Sequence, residues 1–294
     1  MASLKAIRRR ISSVRSTQQI TRAMKLVAAA RLRRAQEALQ NASPYHQALV
    51  RVADSLFATE RAALGPAEDA KREALVVVIG SDRGLCGGYN ANIMRAAEDE
   101  AQRAERDGMK VKFYAVGRKA LDYLRRVGHE IAHQRINNPR LATFGLAHDL
   151  ASRMLSDYRA GGVSETGLIY SEFRSALSQR PTYERLLPVR EERPEEKPEA
   201  GAGEIAAPVD YLVEPSRAEL VPVVLRGYLE DSIFHALLEA EASEQGARMT
   251  AMDSATNNAA DMIERLTLEM NRARQATITT ELMDIVGGAE ALRA

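Results

Sequence analysis

Tryptophan is absent and aromatic residues supply only 5 % of the 294-residue chain, too little ring bulk for the core of an ordinary α/β enzyme of this size. Abundant Ala, Arg, Glu and Leu with few rings point instead to long helices packed through small residues. There is one cysteine, Cys86. That excludes an intrachain disulfide and a multi-cysteine zinc site, and it fits a reducing compartment. Long apolar runs are missing too: stretches such as Leu26–Ala30 and Ala74–Ile79 fall far short of the roughly 20 residues a bilayer helix needs, so no transmembrane segment is expected. Neither sign of charge dominates, with 41 Lys and Arg against 40 Asp and Glu for a net charge of +1. A globally basic nucleic-acid binder and an acidic solvating tail are both disfavoured.

The charge is nevertheless unevenly placed. Residues 1–34 carry ten basic residues and no acid, and no glycine occurs before Gly65. Leu4, Ile7, Ile11 and Val14 step by 3, 4 and 3, the spacing of a coiled-coil seam. Hydrophobicity then carries that seam through Ile20, Met24 and Val27 to Leu32 and Leu39. A helix from about residue 3 to about residue 60 is predicted, disturbed near Ser43–Pro44. At about 1.5 Å per residue it would be on the order of 80 Å long. The other end repeats the pattern. Met249, Met252, Thr256, Ala259, Ile263, Leu266, Met270, Ala273, Thr277 and Thr280 alternate steps of 3 and 4. Ser216 with Glu219 has the form of a capping box, Pro222 argues for a kink or a later start, and Gly287–Gly288 is a stop signal. Two such narrow seams can bury each other as an antiparallel pair.

Between the ends the period changes. Leu75–Ile79 is a β-branched run ending at Gly80, as in a buried parallel strand. Further strands are predicted near 111–116, 130–136, 166–170 and 183–189, separated by helices over 90–107, 118–127 and 141–159. This alternation implies an open sheet of Rossmann-like wiring. The fold class is therefore α/β with a long antiparallel coiled coil, the terminal helices pairing and the α/β domain inserted between them. The boundaries drawn are a helix over 1–60, the α/β domain over 70–190, a Pro/Glu/Gly loop over 191–208, and a foot segment with the second helix over 209–290. The 191–204 stretch has no large apolar residue and reads as a solvated loop.

Few residues suggest chemistry. Ser81-Asp-Arg-Gly-Leu-Cys-Gly-Gly88 lies where a doubly wound fold cradles phosphate. It matches neither Gly-x-Gly-x-x-Gly nor the Lys-containing phosphate loop, so a structural or partner-contact turn competes with nucleotide binding. Cys86 has no co-ligands in sequence, and His129, His133 and His148 are isolated candidates for a base. His129 and His133 would share one side of a predicted strand without a third ligand. No metal or cofactor is expected. The basic first helix leaves three readings open: a nucleic-acid arm, a charged shaft within an acidic sleeve, or a solvated helix face.

Three stretches narrow this: Ser13–Arg31 (SVRSTQQITRAMKLVAAAR), Ser81–Gly88 (SDRGLCGG) and Ala273–Leu282 (ARQATITTEL). In order and spacing they resemble the gamma subunit of the F-type ATP synthase, and the similarity covers essentially the whole chain. The resemblance implies a non-catalytic central rotor shaft. Its partners would be the alpha and beta subunits, which hold the nucleotides, the small epsilon subunit and the membrane rotor ring. It implies beta-subunit contacts at Arg274, Gln275 and Thr279, and at Met24 and Lys25 with Arg83 and Cys86 nearby. It also implies a foot over the rotor ring at Tyr211 and Glu214. Family-like sequence begins within the first few residues, so a bacterial chain on the cytoplasmic face of the inner membrane is expected rather than an organelle precursor. The regulatory cysteine pair of chloroplast members has no counterpart beside Cys86. A coiled-coil nucleic-acid adaptor is the alternative function.

Overall fold

The computed structural model describes residues 4–57, 64–67, 70–137, 141–189, 213–214 and 216–291. The 191–204 stretch and Tyr211 lie outside the described residues. Helix α1 (Leu4–Phe57) opens the chain and helix α5 (Arg217–Ala291) closes it. Between them come β1 (Glu73–Ile79), α2 (Tyr89–Arg106), β2 (Lys110–Val116), α3 (Arg118–Val127), β3 (Ile131–Arg135), α4 (Phe144–Arg159), β4 (Glu165–Phe173) and β5 (Gln179–Leu187). The chain divides into two compact units, one of residues 1–28 with 248–294 and one of residues 29–247.

The first unit is an antiparallel helix pair. Ile7, Ile11 and Leu266 are its buried centre, flanked by Val14, Ile263, Met270 and Ala273. Farther along, the Thr21 and Thr256 hydroxyls lie 2.8 Å apart, and Lys25 Nζ donates to Asp253 Oδ1 at 2.5 Å. Rising numbers on α1 thus meet falling numbers on α5. The seam on α1 keeps an unbroken count of threes and fours through Leu4, Ile7, Ile11, Val14, Gln18, Thr21, Lys25 and Ala28, all buried or half-buried. The expected drift through Ile20 and Val27 is corrected: Ile20 is 60 % exposed and Val27 53 %. Register wins over side-chain hydrophobicity because the hydroxyl pair and the ion pair satisfy the polar groups that the unbroken count brings inward. Thr277 and Thr280 are exposed rather than seam residues. The α1 residues opposite Leu266 and Met270 already lie within the first turns of that helix, so α5 outruns its described partner.

No aromatic residue occurs in 1–28 or 248–294, and all nine tyrosines lie between 45 and 228. Near-ultraviolet tyrosine signals therefore report the second unit alone. Leu266→Ala is expected to cost the helix pair about 2–3 kcal/mol, the low end for a buried leucine because a narrow seam can partly collapse. Far-ultraviolet melting should show an earlier helix-loss phase with the tyrosine transition unmoved. A single unchanged transition would mean that this leucine contributes no such packing.

In the second unit the sheet order is β3-β2-β1-β4-β5. The first four strands are parallel and β5 is antiparallel to β4. β5 starts earlier than predicted because Ser175 and Ser178 exchange backbone hydrogen bonds of 3.0 and 3.3 Å in a tight turn. A connection that short can return only antiparallel. Central β1 is apolar from Ala74 to Ile79 because both its faces are covered. Leu75, Val77 and Ile79 pack with α4 and the 29–57 and 217–247 parts of the long helices. Ala74, Val76 and Val78 pack with α2 and α3.

Local signals set the ends of the helices. Thr143 caps α4 by accepting from Leu146 N at 3.3 Å, which moves the start from the predicted 141 to Phe144. Ser216 caps α5: Glu219 N donates to its hydroxyl at 3.4 Å, and that hydroxyl donates to the Glu219 carboxylate at 3.0 Å. Three expected breaks do not occur. α1 runs through Pro44, which is exposed together with Gln40, so water can serve the carbonyl that proline leaves unpaired. Pro222 lies inside α5 near its start, and Gly287–Gly288 continues helical to Ala291, since glycine permits a left-handed stop without imposing one.

Candidate functional site

The residues singled out in the sequence fall in three places. On α5, every residue from Arg274 to Val286 is exposed. Arg274 and Gln275 make no side-chain hydrogen bond among the described residues. The Thr279 hydroxyl is engaged locally, donating to Gln275 O at 2.9 Å. Thr277 and Thr280 likewise bond back to the carbonyls four residues earlier. Beside them lie exposed apolar side chains that sequence reasoning did not single out: Ile278, Leu282, Met283, Ile285 and Val286. A guanidinium and an amide next to such a run form a surface suited to a partner with hydrogen-bond acceptors and apolar walls.

On α1, Met24 and Lys25 are half-buried. Lys25 is committed to Asp253 within the seam, so its charge is partly spent inside the molecule. The outward apolar residues here are Ile20, Leu26 and Val27. Continuing the heptad count instead of following the most hydrophobic residues would have assigned them outward. Lys5, Arg8, Arg9, Arg10, Arg15 and Arg22 are all exposed, giving this helix a cationic surface.

The third place is the turn after β1. Arg83 is exposed there, whereas Cys86 is 2 % exposed and packs with Tyr89 and Ile93. Its Sγ accepts from Asn90 Nδ2 at 3.1 Å. Cys86 therefore presents no surface, and Leu85, 64 % exposed with φ +63°, is the outward side chain of the turn. Glu214 is exposed and Tyr211 falls outside the described residues.

The turn is held by its own polar side chains. Ser81 Oγ donates to Arg83 O at 2.6 Å, and Ser81 N donates to Asn90 Oδ1 at 3.1 Å. Asp82 Oδ1 accepts from Arg118 N at 2.9 Å and Asn137 N at 3.1 Å. A carboxylate thus already occupies the amino end of α3, where an anion would gain most from the helix dipole. The isolated chain is expected to bind ATP no tighter than about 1 mM, equivalent to about 4 kcal/mol. Stoichiometric micromolar binding by calorimetry would overturn this.

The histidines are likewise committed. His46 Nδ1 lies 2.7 Å from Asp231, His129 Nε2 2.9 Å from Glu98, and His148 Nδ1 2.8 Å from Glu230. His133 faces Asp157 at 3.7 Å and His235 faces Glu239 at 3.8 Å. His129 precedes β3 rather than sharing it with His133. Four of these pairs join different elements, which is a structural use of imidazole. Among the described residues no three His, Cys, Asp or Glu side chains are grouped to hold a metal. No described helix is long and apolar enough to cross a membrane.

The family model described as ATP synthase matches residues 3–292. The ATP synthase gamma chain of Moorella thermoacetica is 46 % identical over 299 residues, covering 100 % of both chains. That of Pelotomaculum thermopropionicum is 44 % identical over 294 residues, covering 99 % of this chain and 100 % of its own. Among solved structures, the central stalk and c-ring of the Tetrahymena thermophila mitochondrial ATP synthase matches with a TM-score of 0.61 and 26 % identity, covering 80 % of this chain and 99 % of that one. The Euglena gracilis mitochondrial ATP synthase, at 22 % identity, shares the fold with a TM-score of 0.67 over 98 % of this chain and 94 % of that one. With paired terminal helices, a Rossmann-like sheet between them in sequence, and matching relatives over its whole length, this chain belongs to the ATP synthase gamma-chain family.

Proposed function

We propose that the chain is the central rotor shaft of a proton-translocating F-type ATP synthase, itself non-catalytic. In this reading it turns with the membrane rotor ring inside a hexamer of alpha and beta subunits. Its asymmetry takes the nucleotide sites of those subunits through different conformations, so that proton flow and ATP synthesis or hydrolysis are coupled. The observation that carries the reading is the end of α5. Beyond Ala273 a helix with no seam partner among the described residues presents Arg274 and Gln275 together with five exposed apolar side chains. A surface of that kind fits the inside of a sleeve of other subunits.

In the assembled complex Arg274, Gln275 and Thr279 would meet beta-subunit loops. Met24, with Ile20, Leu26 and Val27 beside it, and Arg83, with Leu85 in place of Cys86, would face other parts of the beta subunits. Lys25 would act by holding α1 to α5 through Asp253. Tyr211 and Glu214 would lie over the rotor ring, with the epsilon subunit against the chain. The site would be the cytoplasmic face of a bacterial inner membrane, held peripherally through the ring.

Two features suit rotation. No aromatic residue occurs in 1–28 or 248–294, so the helix pair lacks the large buried anchors that would hold one orientation against a sleeve. Its exposed arginines act over a longer range and orient without locking. The test is reconstitution of the chain with alpha and beta subunits, with a marker fixed to the exposed turn at Arg83. ATP-driven rotation of the marker is expected. ATP hydrolysis by the complex without any rotation would defeat the proposal.

A further inference from the structure

In open α/β sheets, ligands bind in the crevice beyond the carboxyl ends of the strands, at the point where the strand order reverses. Here the order reverses between β1 and β4. The space is filled by the chain itself, by residues 240–247 of α5. Three separate elements grip this segment. From the start of α2, the Tyr89 hydroxyl donates to Ala240 O at 3.2 Å. At the end of β4, Ser171 O accepts from the fully buried Ser243 hydroxyl at 2.8 Å. Ahead of α4, Ala142 N donates to the Glu241 carboxylate at 3.1 Å. Gly246 faces the β4–β5 turn, where an added Cβ would already be in van der Waals contact, 3.4 Å from both Cα and O of Ala176, leaving no room for a branched side chain. Upstream, Ala236 and Ala240 belong to the apolar cluster on one face of the sheet, and Ala247 belongs to the cluster on the other.

We infer that this seat is a torque clamp, the place where the α/β sheet holds α5 against turning about its own axis. The inference rests on the rotor reading. Ala236, Ala240, Ser243 and Ala247 are spaced by 4, 3 and 4, so they share one face of the helix, and all four are buried. A turn of one residue, about 100°, would replace them with Leu237, Glu241, Glu244 and Arg248. Three of those four are charged, and the buried Ser171 carbonyl would lose its donor. Those three side chains are half-buried with partners of their own, Glu241 accepting from Ala142 N. The turn would strip them of these contacts while pressing charge against the sheet, so the helix is keyed in one rotational setting. A sheet that only needed a hydrophobic cover could accept many settings. One with a hydroxyl, a glycine and three alanines fitted to it accepts one.

Two experiments on the reconstituted complex test the clamp. In the first, Ala176→Cys and Gly246→Cys are combined, oxidised and checked for loss of both free thiols, since an added Cβ at 246 lies 3.4 Å from the Cα of Ala176. Because the clamp already keeps these residues together throughout the cycle, the bond should leave ATP hydrolysis and proton-driven synthesis within about twofold of the reduced form. A loss of more than about tenfold, restored by reductant, would mean that α5 moves on the sheet during turnover, and would overturn the inference. In the second, Gly246→Val is compared with Gly227→Val, which carries the same helix penalty on the same helix but meets nothing within 4 Å. Synthesis should fall at least about fivefold for the first and stay within about twofold for the second. Equal effects would overturn the clamp. Should Gly246→Val lose its tyrosine near-ultraviolet signal, and with it the fold of the second unit, the disulfide experiment decides alone. Failure of the unmodified chain to restore rotation is a different result, and it would overturn the rotor reading itself.

Discussion

Replacing Arg274 and Gln275 together with alanine is expected to lower coupled ATP turnover of the assembled complex about tenfold or more, with the isolated chain's helix content and melting unchanged. Both side chains are exposed and lie between Ala273, the last buried-side seam residue, and Thr277. Neither contributes to the packing of the helix pair, and alanine is at least as good a helix former as either. Their contribution arises only when a partner surrounds them. A guanidinium and an amide can each donate to carboxylates or carbonyls, and a hydrogen bond to a charged group contributes about 1.5–3 kcal/mol. A factor of ten in population corresponds to about 1.4 kcal/mol, so losing one such bond in one rotational state suffices. The checks are circular dichroism of the isolated chain and ATP hydrolysis and proton-driven synthesis after reassembly. An unfolded double variant would make these residues structural, and an unchanged coupled rate would remove them from the coupling surface.

Gly117→Ala should be the most damaging small substitution in the sheet unit, costing at least about 3 kcal/mol. Gly117 has φ +91°, and an added Cβ would lie 2.3 Å from the carbonyl oxygen of Gly80. That oxygen belongs to backbone and cannot swing aside. The two loops are tied at this level, Gly80 N donating to Val116 O and Gly117 N to Arg135 O, each at 2.8 Å. Relieving the overlap therefore disturbs the carboxyl ends of β1, β2 and β3 together. Gly128→Ala is the matched comparison, because φ is +93° there but nothing lies within 4 Å of the added atom. It should carry only the conformational cost, about 1–2 kcal/mol. For a unit of this size the Gly117 variant should melt about 6–12 °C lower by the tyrosine signal. Equal shifts for the two variants would show that the overlap relaxes freely.

Much of the fold was legible because periodicity survives without knowledge of the partner. The alternation of threes and fours from Met249 to Ala273 identified the α5 seam, and Ser216 with Glu219 marked the start of that helix. Two errors share one cause. Ile20 and Val27 were assigned inward for being hydrophobic, and the polar Thr21 and Lys25 were left out of the seam. In the structure Thr21 and Lys25 are matched by Thr256 and Asp253, residues more than 200 positions away along the chain. No reading of one helix alone reveals that its polar seam residues have partners. Cys86 failed similarly: the motif containing it is a turn, and only the packing of α2 on β1 decides that the thiol faces inward while Leu85 faces out.

By itself the sequence determined what depends on composition and local order. It determined two long helices with narrow seams, an alternating α/β segment between them, a basic start without acid, and a turn unsuited to holding phosphate through a lysine. These follow from side-chain spacing and backbone preference, which act over a few residues. Tertiary structure decided what depends on pairs distant in sequence. It decided where the described α5 seam stops, because that is set by where the described part of the opposite helix ends. It decided that all five histidines stand beside carboxylates, because four of those partners come from other elements. It also decided that the crevice of the sheet is filled, because residues 240–247 reach it only when α5 crosses the carboxyl ends of β1 and β4. A hydroxyl, a glycine and alanines on one helical face carry no signal of their own, and they acquire meaning only from the carbonyl and the turn they are pressed against.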